Sequence, residues 1–209
     1  MKLIVGLGNP GLTYAGSRHN IGWTIVQSLA RSLKVSLKRD KLVCAYVGKA
    51  KYGRHDLMLA LPQTFMNLSG VAVKALFKKF KISPQDLLVV CDDMDLELGR
   101  IKIRPRGSSA GQRGLASVIE QLGTQEFSRL RFGIGRPANP LEASRFVLAG
   151  FLRKEKTVVE EAKEDALRCA LSWVENGVTI GLDNFNTSLP VKQVRVENKT
   201  SKQREDKNE

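Results

Sequence analysis

Short continuous apolar runs recur along this chain between stretches of helical spacing, and that alternation limits its fold more than any other feature. Lys2 to Leu7 is the first such run, and Leu87-Leu88-Val89-Val90, within a strand expected over Asp86 to Cys91, is the clearest. Leu130 to Ile134 is another. Strands that are apolar on both sides need cover on both sides, which points to a sheet packed between helices. Ile21 to Leu33 and the amphipathic stretch from Glu155 to Asn176 supply long helices, with shorter ones expected over Leu115 to Leu122 and Leu141 to Leu148. Leu42 to Val47 and Asp56 to Leu61 read as strands joined by the turn Tyr52-Gly53-Arg54-His55. Asn67 is placed as the N-cap of a helix whose buried stripe is Val71, Val73, Leu76, Phe77 and Phe80. The expected fold is α/β: a single domain with a mixed, mostly parallel β-sheet flanked by helices on both faces. It spans residues 1–190, followed by a charged tail over 191–209 that has too little to bury and is expected to be disordered.

Composition bounds the function. The chain has 209 residues, 42% of them apolar, enough for a sizeable core in one domain. Its formal net charge of +13 favours polyanionic partners such as nucleic acid. The three cysteines, Cys44, Cys91 and Cys169, are too far apart and odd in number for a paired framework or a metal half-site. No apolar run approaches the length of a membrane span, so a soluble cytoplasmic protein with no membrane partner is expected.

Two glycine motifs invite readings that their surroundings reject. Gly6-Leu7-Gly8-Asn9-Pro10-Gly11 has dinucleotide-fingerprint spacing, but Pro10 to Tyr14 opens no convincing helix and the nearest downstream acid is Asp40. Gly107-Ser108-Ser109-Ala110-Gly111 fits G-x-S-x-G, yet both histidines lie upstream of it, against the order that a nucleophile elbow requires. With His19 and His55 the only histidines, a protein-supplied zinc site is not expected. A general base near neutral pH is most economically a histidine. His55 sits in a charged turn and reads as a surface residue, whereas His19 lies between the glycine loop and a helix, where it can face the strand ends.

Asn9, His19, Asn67 and Asp92 each sit at a loop or element end and can converge on one edge of the sheet. A carboxylate on a histidine Nδ1–H fixes the tautomer and leaves Nε2 to take a proton from water, while amides hold a scissile carbonyl. That set describes hydrolysis by activated water. Taken singly, the asparagines also suit capping and turns, and Asp92 a plain strand end.

The chain resembles the bacterial-type peptidyl-tRNA hydrolase family. The matching segments are Val5 to Gly11, Thr13-Tyr14, Arg18 to Gly22, Pro62 to Gly70, Asp92 to Leu96, the Gly107 to Gly114 loop and Arg129 to Pro137. The resemblance implies hydrolysis of the ester linking a peptide to the terminal ribose of tRNA, with neither metal nor organic cofactor. It assigns water activation to His19, its orientation to Asp92, and substrate contacts to Asn9, Tyr14, Phe65, Asn67, Gln112 and Arg113. The family usually carries Gly-His-Asn-Gly where this chain has Gly111-Gln112-Arg113-Gly114, so contacts near the scissile bond are open to change. Lys102, Arg104 and Arg131 are the candidates to grip the tRNA acceptor end, the first two sharing a strand face as a track for phosphates. A monomer is expected. The alternative, from a different class, is an RNA-binding relative that keeps the fold and basic face without efficient turnover.

Overall fold

The computed structural model describes residues 1–178; the 191–209 tail and the end of the expected domain lie outside the described residues. Seven strands, β1 (Lys2–Gly6), β2 (Lys38–Asp40), β3 (Ala45–Tyr52), β4 (His55–Pro62), β5 (Leu87–Asp93), β6 (Ile101–Arg104) and β7 (Ser128–Gly133), form one mixed sheet. Its order is β2-β3-β4-β1-β5-β7-β6. The central four, β4, β1, β5 and β7, run parallel; β3 and β6 run against them, and β2 at one edge pairs antiparallel with β3. Five helices complete the described chain: α1 (Ile21–Ser32), α2 (Ser69–Phe80), α3 (Arg113–Leu122), α4 (Ala143–Leu148) and α5 (Lys156–Asn176).

Strand periodicity divides the core. Leu88 and Val90 of β5 pack with Ile25 and Leu29 of α1 and with Ala166 and Trp173 of α5. Leu87, Val89 and Cys91 of the same strand pack with Leu76 of α2 and with Leu115 and Val118 of α3 on the other side. The α/β/α sandwich expected from the apolar runs is thus present, each central strand burying both of its faces. Strand order reverses at β1, whose neighbours are reached in opposite directions, and the carboxyl ends of parallel strands at such a point form a crevice.

Close contact at glycines sets the helix that leads out of that crevice. A side chain at Gly22 would lie 2.3 Å from the Val90 carbonyl oxygen, and one at Gly6 would lie 2.4 Å from that of Gly22. Only glycine at both positions lets the first turn of α1 press onto the ends of β1 and β5. The turn before it, Arg18–Asn20, is thereby seated at the strand ends.

Some local expectations differ. The strand expected over Leu42 to Val47 begins at Ala45 and runs to Tyr52, with Leu42 in an exposed turn. Asn67 caps nothing: it lies in a 3-10 turn, Met66–Leu68, that runs into α2 without any side-chain cap. Val71 faces solvent, leaving Val73 and Leu76 as the buried stripe of that helix. His55, read as a surface residue, is half-buried at the start of β4, far along the strand from the crevice.

Candidate active site

Side chains from the carboxyl ends of β1, β4, β5 and β7 line a cleft of about 540 Å³. Asn9 follows β1, Phe65 to Asn67 follow β4, Asp92 ends β5, and Gln112 and Arg113 open α3. His19 enters from the turn before α1, and Val147 and Leu148 of α4 close one side.

His19 Nδ1 lies 2.8 Å from Asp92 Oδ2, with the Asp92 side chain 3% exposed. A carboxylate facing Nδ1 accepts a hydrogen bond from the ring N–H there, which keeps the proton on Nδ1 and leaves Nε2 as the basic nitrogen. Asp92 also accepts, through Oδ1, a hydrogen bond of 3.0 Å from Gln112 Nε2. The Gln112 oxygen accepts from the Leu115 backbone N–H at 2.7 Å, which makes Gln112 the N-cap of α3.

Asn9 is buried and immobilised. Its Oδ1 accepts from the Met66 N–H at 2.7 Å, tying the loop after β1 to the loop after β4. That leaves its Nδ2 for a ligand. Asn20 grips the Asn9 backbone from both sides, accepting from its N–H at 2.8 Å and donating to its carbonyl at 2.9 Å. Sequence reasoning gave Asn20 no role of its own, and the one signal for it was its place beside His19 in the matching segment. Asn67 is exposed at the cleft wall, and Tyr14 meets Phe65 edge-on with ring centroids 6.4 Å apart. Phe65 is 54% exposed, an apolar surface at the cleft mouth.

The basic candidates share a face but not a state. In the β6–β7 register Lys102 lies opposite Arg131 and Arg104 opposite Arg129, all on the face that elsewhere packs α2 and α3. Arg131 lines the cleft with its guanidinium paired to Asp93. Arg136 is paired likewise to Asp95 at the cleft mouth. Arg129 is buried and donates to the carbonyls of Gln125 and Phe127, each at 2.9 Å, and to that of Gly107, so it holds the glycine loop. Lys102 and Arg104 are half-buried. The Lys102 ammonium is held below the usual lysine range by Arg104 first, then by burial, Arg131 and Arg100, with Asp93 opposing. Among the described residues no group of three His, Cys, Asp or Glu gathers as a metal site, and no helix is long and apolar enough to cross a membrane.

Comparison with known proteins identifies the family. Residues 3–194 match the family described as peptidyl-tRNA hydrolase. A peptidyl-tRNA hydrolase of Desulfitobacterium hafniense is 42% identical over 186 residues, covering 89% of this chain and all of the relative. One from Aquifex aeolicus is 41% identical over 175 residues, or 84% of this chain and 91% of that one. The crystal structure of the Acinetobacter baumannii peptidyl-tRNA hydrolase superposes with a TM-score of 0.85 at 34% identity, over 90% of this chain and 95% of that one.

Proposed function

The chain belongs to the peptidyl-tRNA hydrolase family, and we propose that it hydrolyses the ester between peptide and tRNA with His19 as general base and Asp92 holding that base in place. The observation that carries the reading is the 2.8 Å contact between His19 Nδ1 and Asp92 at the strand ends, where both residues line the cleft.

His19 Nε2 takes a proton from water as the water oxygen bonds to the ester carbonyl carbon. Asp92 stabilises the imidazolium that forms, as a buried carboxylate on Nδ1 does in other hydrolases. Collapse of the tetrahedral intermediate breaks the bond between carbonyl carbon and ribose oxygen. The imidazolium returns its proton to that oxygen, freeing the tRNA terminus and a peptide carboxylic acid, which loses its proton to solvent. Asn9 Nδ2 and the Asn67 amide donate to the peptide and its carbonyl, and Tyr14 with Phe65 packs the peptide side chain. Arg113, exposed in the cleft at the first position of α3, adds a positive charge where the developing oxyanion and the terminal phosphate gather. Lys102, Arg104 and Arg131 receive the acceptor end. Every group in this reading comes from one copy of the chain, so a monomer suffices.

His19→Ala tests it. Release of tRNA from an N-blocked aminoacyl-tRNA should fall by a factor on the order of 10² to 10⁴ with the melting temperature little changed. Survival of most cleavage would remove His19 from the chemistry. Parallel binding of uncharged tRNA separates this enzyme from an RNA-binding relative: binding with no cleavage by the unsubstituted protein would favour the relative.

A further inference from the structure

Gln112 stands where the family usually has histidine, and both ends of its amide are occupied within the protein. Its oxygen accepts from the Leu115 N–H at 2.7 Å, which identifies that end as the oxygen and the opposite end as the NH₂ group. The NH₂ group therefore donates to Asp92 Oδ1 at 3.0 Å and lies 3.3 Å from Met66 Sδ. The side chain has little room to turn. A Cβ built on Gly114 would sit 3.0 Å from the Gln112 oxygen and 2.4 Å from Met66 Sδ, so the start of α3 is pressed against it. Glutamine is not among the favoured N-caps, and a second duty accounts for its choice.

Asp92 is buried and has two oxygens, one facing His19 and the other facing Gln112. An unrestrained carboxylate can rotate about its last bond and present either edge to the imidazole. With Oδ1 held from the first turn of α3, only Oδ2 is aimed at Nδ1. We infer that Gln112 is a positioning residue for the reaction, locking the Asp92 carboxylate so that His19 is held with its basic nitrogen toward the substrate, and that it does not itself bind substrate. This rests on the reading of His19 as the base. It also sets this chain apart from relatives with histidine at that position: a glutamine cannot titrate, so the donor in the lock carries no pH dependence of its own.

Other charged groups surround the pair. Asp93 and Asp95 follow Asp92 and are neutralised by Arg131 and Arg136, and Arg113 comes from α3. Arg18, beside His19 in the chain, is directed to Glu155. The net surroundings of the pair thus change when a charge is placed at position 112.

Gln112→Glu separates the two ends of the side chain. A glutamate keeps the cap on Leu115 but sets a carboxylate against Asp92 where an NH₂ donor was. Two carboxylates in contact hold one proton between them, so the donor to Oδ1 exists only while that proton is bound. Accordingly kcat should decline toward high pH, by about tenfold where the unsubstituted protein stays flat, with the melting temperature within a few degrees and KM within twofold. Gln112→Met keeps the length but removes both hydrogen bonds. Assayed well below its melting temperature, it should lose about tenfold in kcat with KM again unchanged. A rise in KM at constant kcat in either variant would make Gln112 a substrate contact and overturn the inference, as would a folded Gln112→Glu protein whose kcat shows no decline toward high pH. A Gln112→Glu protein that does not fold would overturn it too, since the retained cap should suffice for folding. Following the His19 ring signals by NMR in the unsubstituted protein distinguishes the two proposals. If the ring titrates away from the kinetic acid limb, His19 is not the base and the inference falls with that reading; if it titrates with the limb while Gln112→Met keeps full kcat, the reading stands and the inference alone fails.

Discussion

Asp92 and its chain neighbour show how one residue step separates a side chain in the cleft from one sealed in the core. Cys91 directly precedes Asp92 but points to the opposite face of the sheet, into the layer of α2 and α3. Burial first, then the charges of Asp92 and Asp93, hold its thiol well above the ordinary range, so it offers no thiolate nucleophile. The proposed mechanism, with water activated by His19, needs none. Cys169 in α5 is similarly confined: burial, helped by Asp165, pushes it from 9.0 up to about 12. Such a shift has a consequence for stability that can be signed. Below pH 9 the thiol is protonated in both the folded and the unfolded chain, and its full contribution is present. Between pH 9 and 12 the unfolded chain releases this proton while the folded one keeps it, so stability falls as pH rises, by about 1.4 kcal/mol per pH unit from this group. Denaturant melts of the protein and of Cys169→Ala across pH 8 to 10.5 check this. The variant, offset by a constant cavity cost, should lose stability less steeply above pH 9, and parallel curves would contradict the assignment.

Among the elements, those whose side chains carry the pattern could be read in advance, and those built on backbone pairing or long-range contact could not. Strands β1 and β5 and helices α1 and α5 were legible because burial writes its period into their residues. Strand β2 was not: Lys38–Asp40 is wholly polar and exists because its backbone pairs with β3. The meeting of Asn9, His19, Asn67 and Asp92 was legible from their places at strand and helix ends. That Gln112 would cap α3 while Asn67, the better capping type, would face the cleft was not, because the choice is made by Asp92 and Met66, far away in sequence. Arg18 is a similar case. Its buried guanidinium donates to the carbonyls of Ala149 and Gly150, pairs with Glu155 at 2.8 Å and stacks 4.3 Å from the centre of the Phe146 ring. Its own N–H donates to the Ala149 carbonyl at 2.9 Å. The segment from α4 to α5 is thereby strapped to the turn that carries His19, with Val147 and Leu148 against the cleft. Arg18→Leu should cost about 3 kcal/mol in stability by stranding Glu155 and the carbonyls. It should also raise KM more than it lowers kcat, because α4 loses its anchor while the His19 contact with Asp92 is untouched. Lysine should not rescue it, since an ammonium cannot reproduce the planar fork. An unchanged denaturation midpoint would show the strap to be slack.

Across the whole molecule the surplus of thirteen positive charges acquires a direction only where like charges are forced together. Lys102 and Arg104 stand two residues apart on one face of an edge strand, beside Arg131 and near the cleft. Their crowding is already felt in the depressed lysine. A polyanion laid across that face relieves the repulsion, and in the proposed function the acceptor stem of a tRNA with its end in the cleft would bring phosphates to the edge of β6. Arg131 is a poor probe of this interaction: its guanidinium is committed to Asp93, so reversing its charge would leave two acids facing each other beside Asp92. Neutralising Lys102 and Arg104 together, each to Gln, avoids that fault and leaves every cleft residue in place. Every phosphate that a cation no longer neutralises takes about 0.7 to 0.9 off the slope of log affinity against log salt, so the double variant should show a slope shallower by about 1.5. Its KM for peptidyl-tRNA should rise severalfold at low salt and converge on that of the unsubstituted enzyme at high salt, with kcat unchanged. Measuring KM from 50 to 300 mM salt decides it (about a twofold change in Debye length): parallel lines would place the phosphates on another face of the molecule, and a fall in kcat would mean that the strand edge does more than hold tRNA.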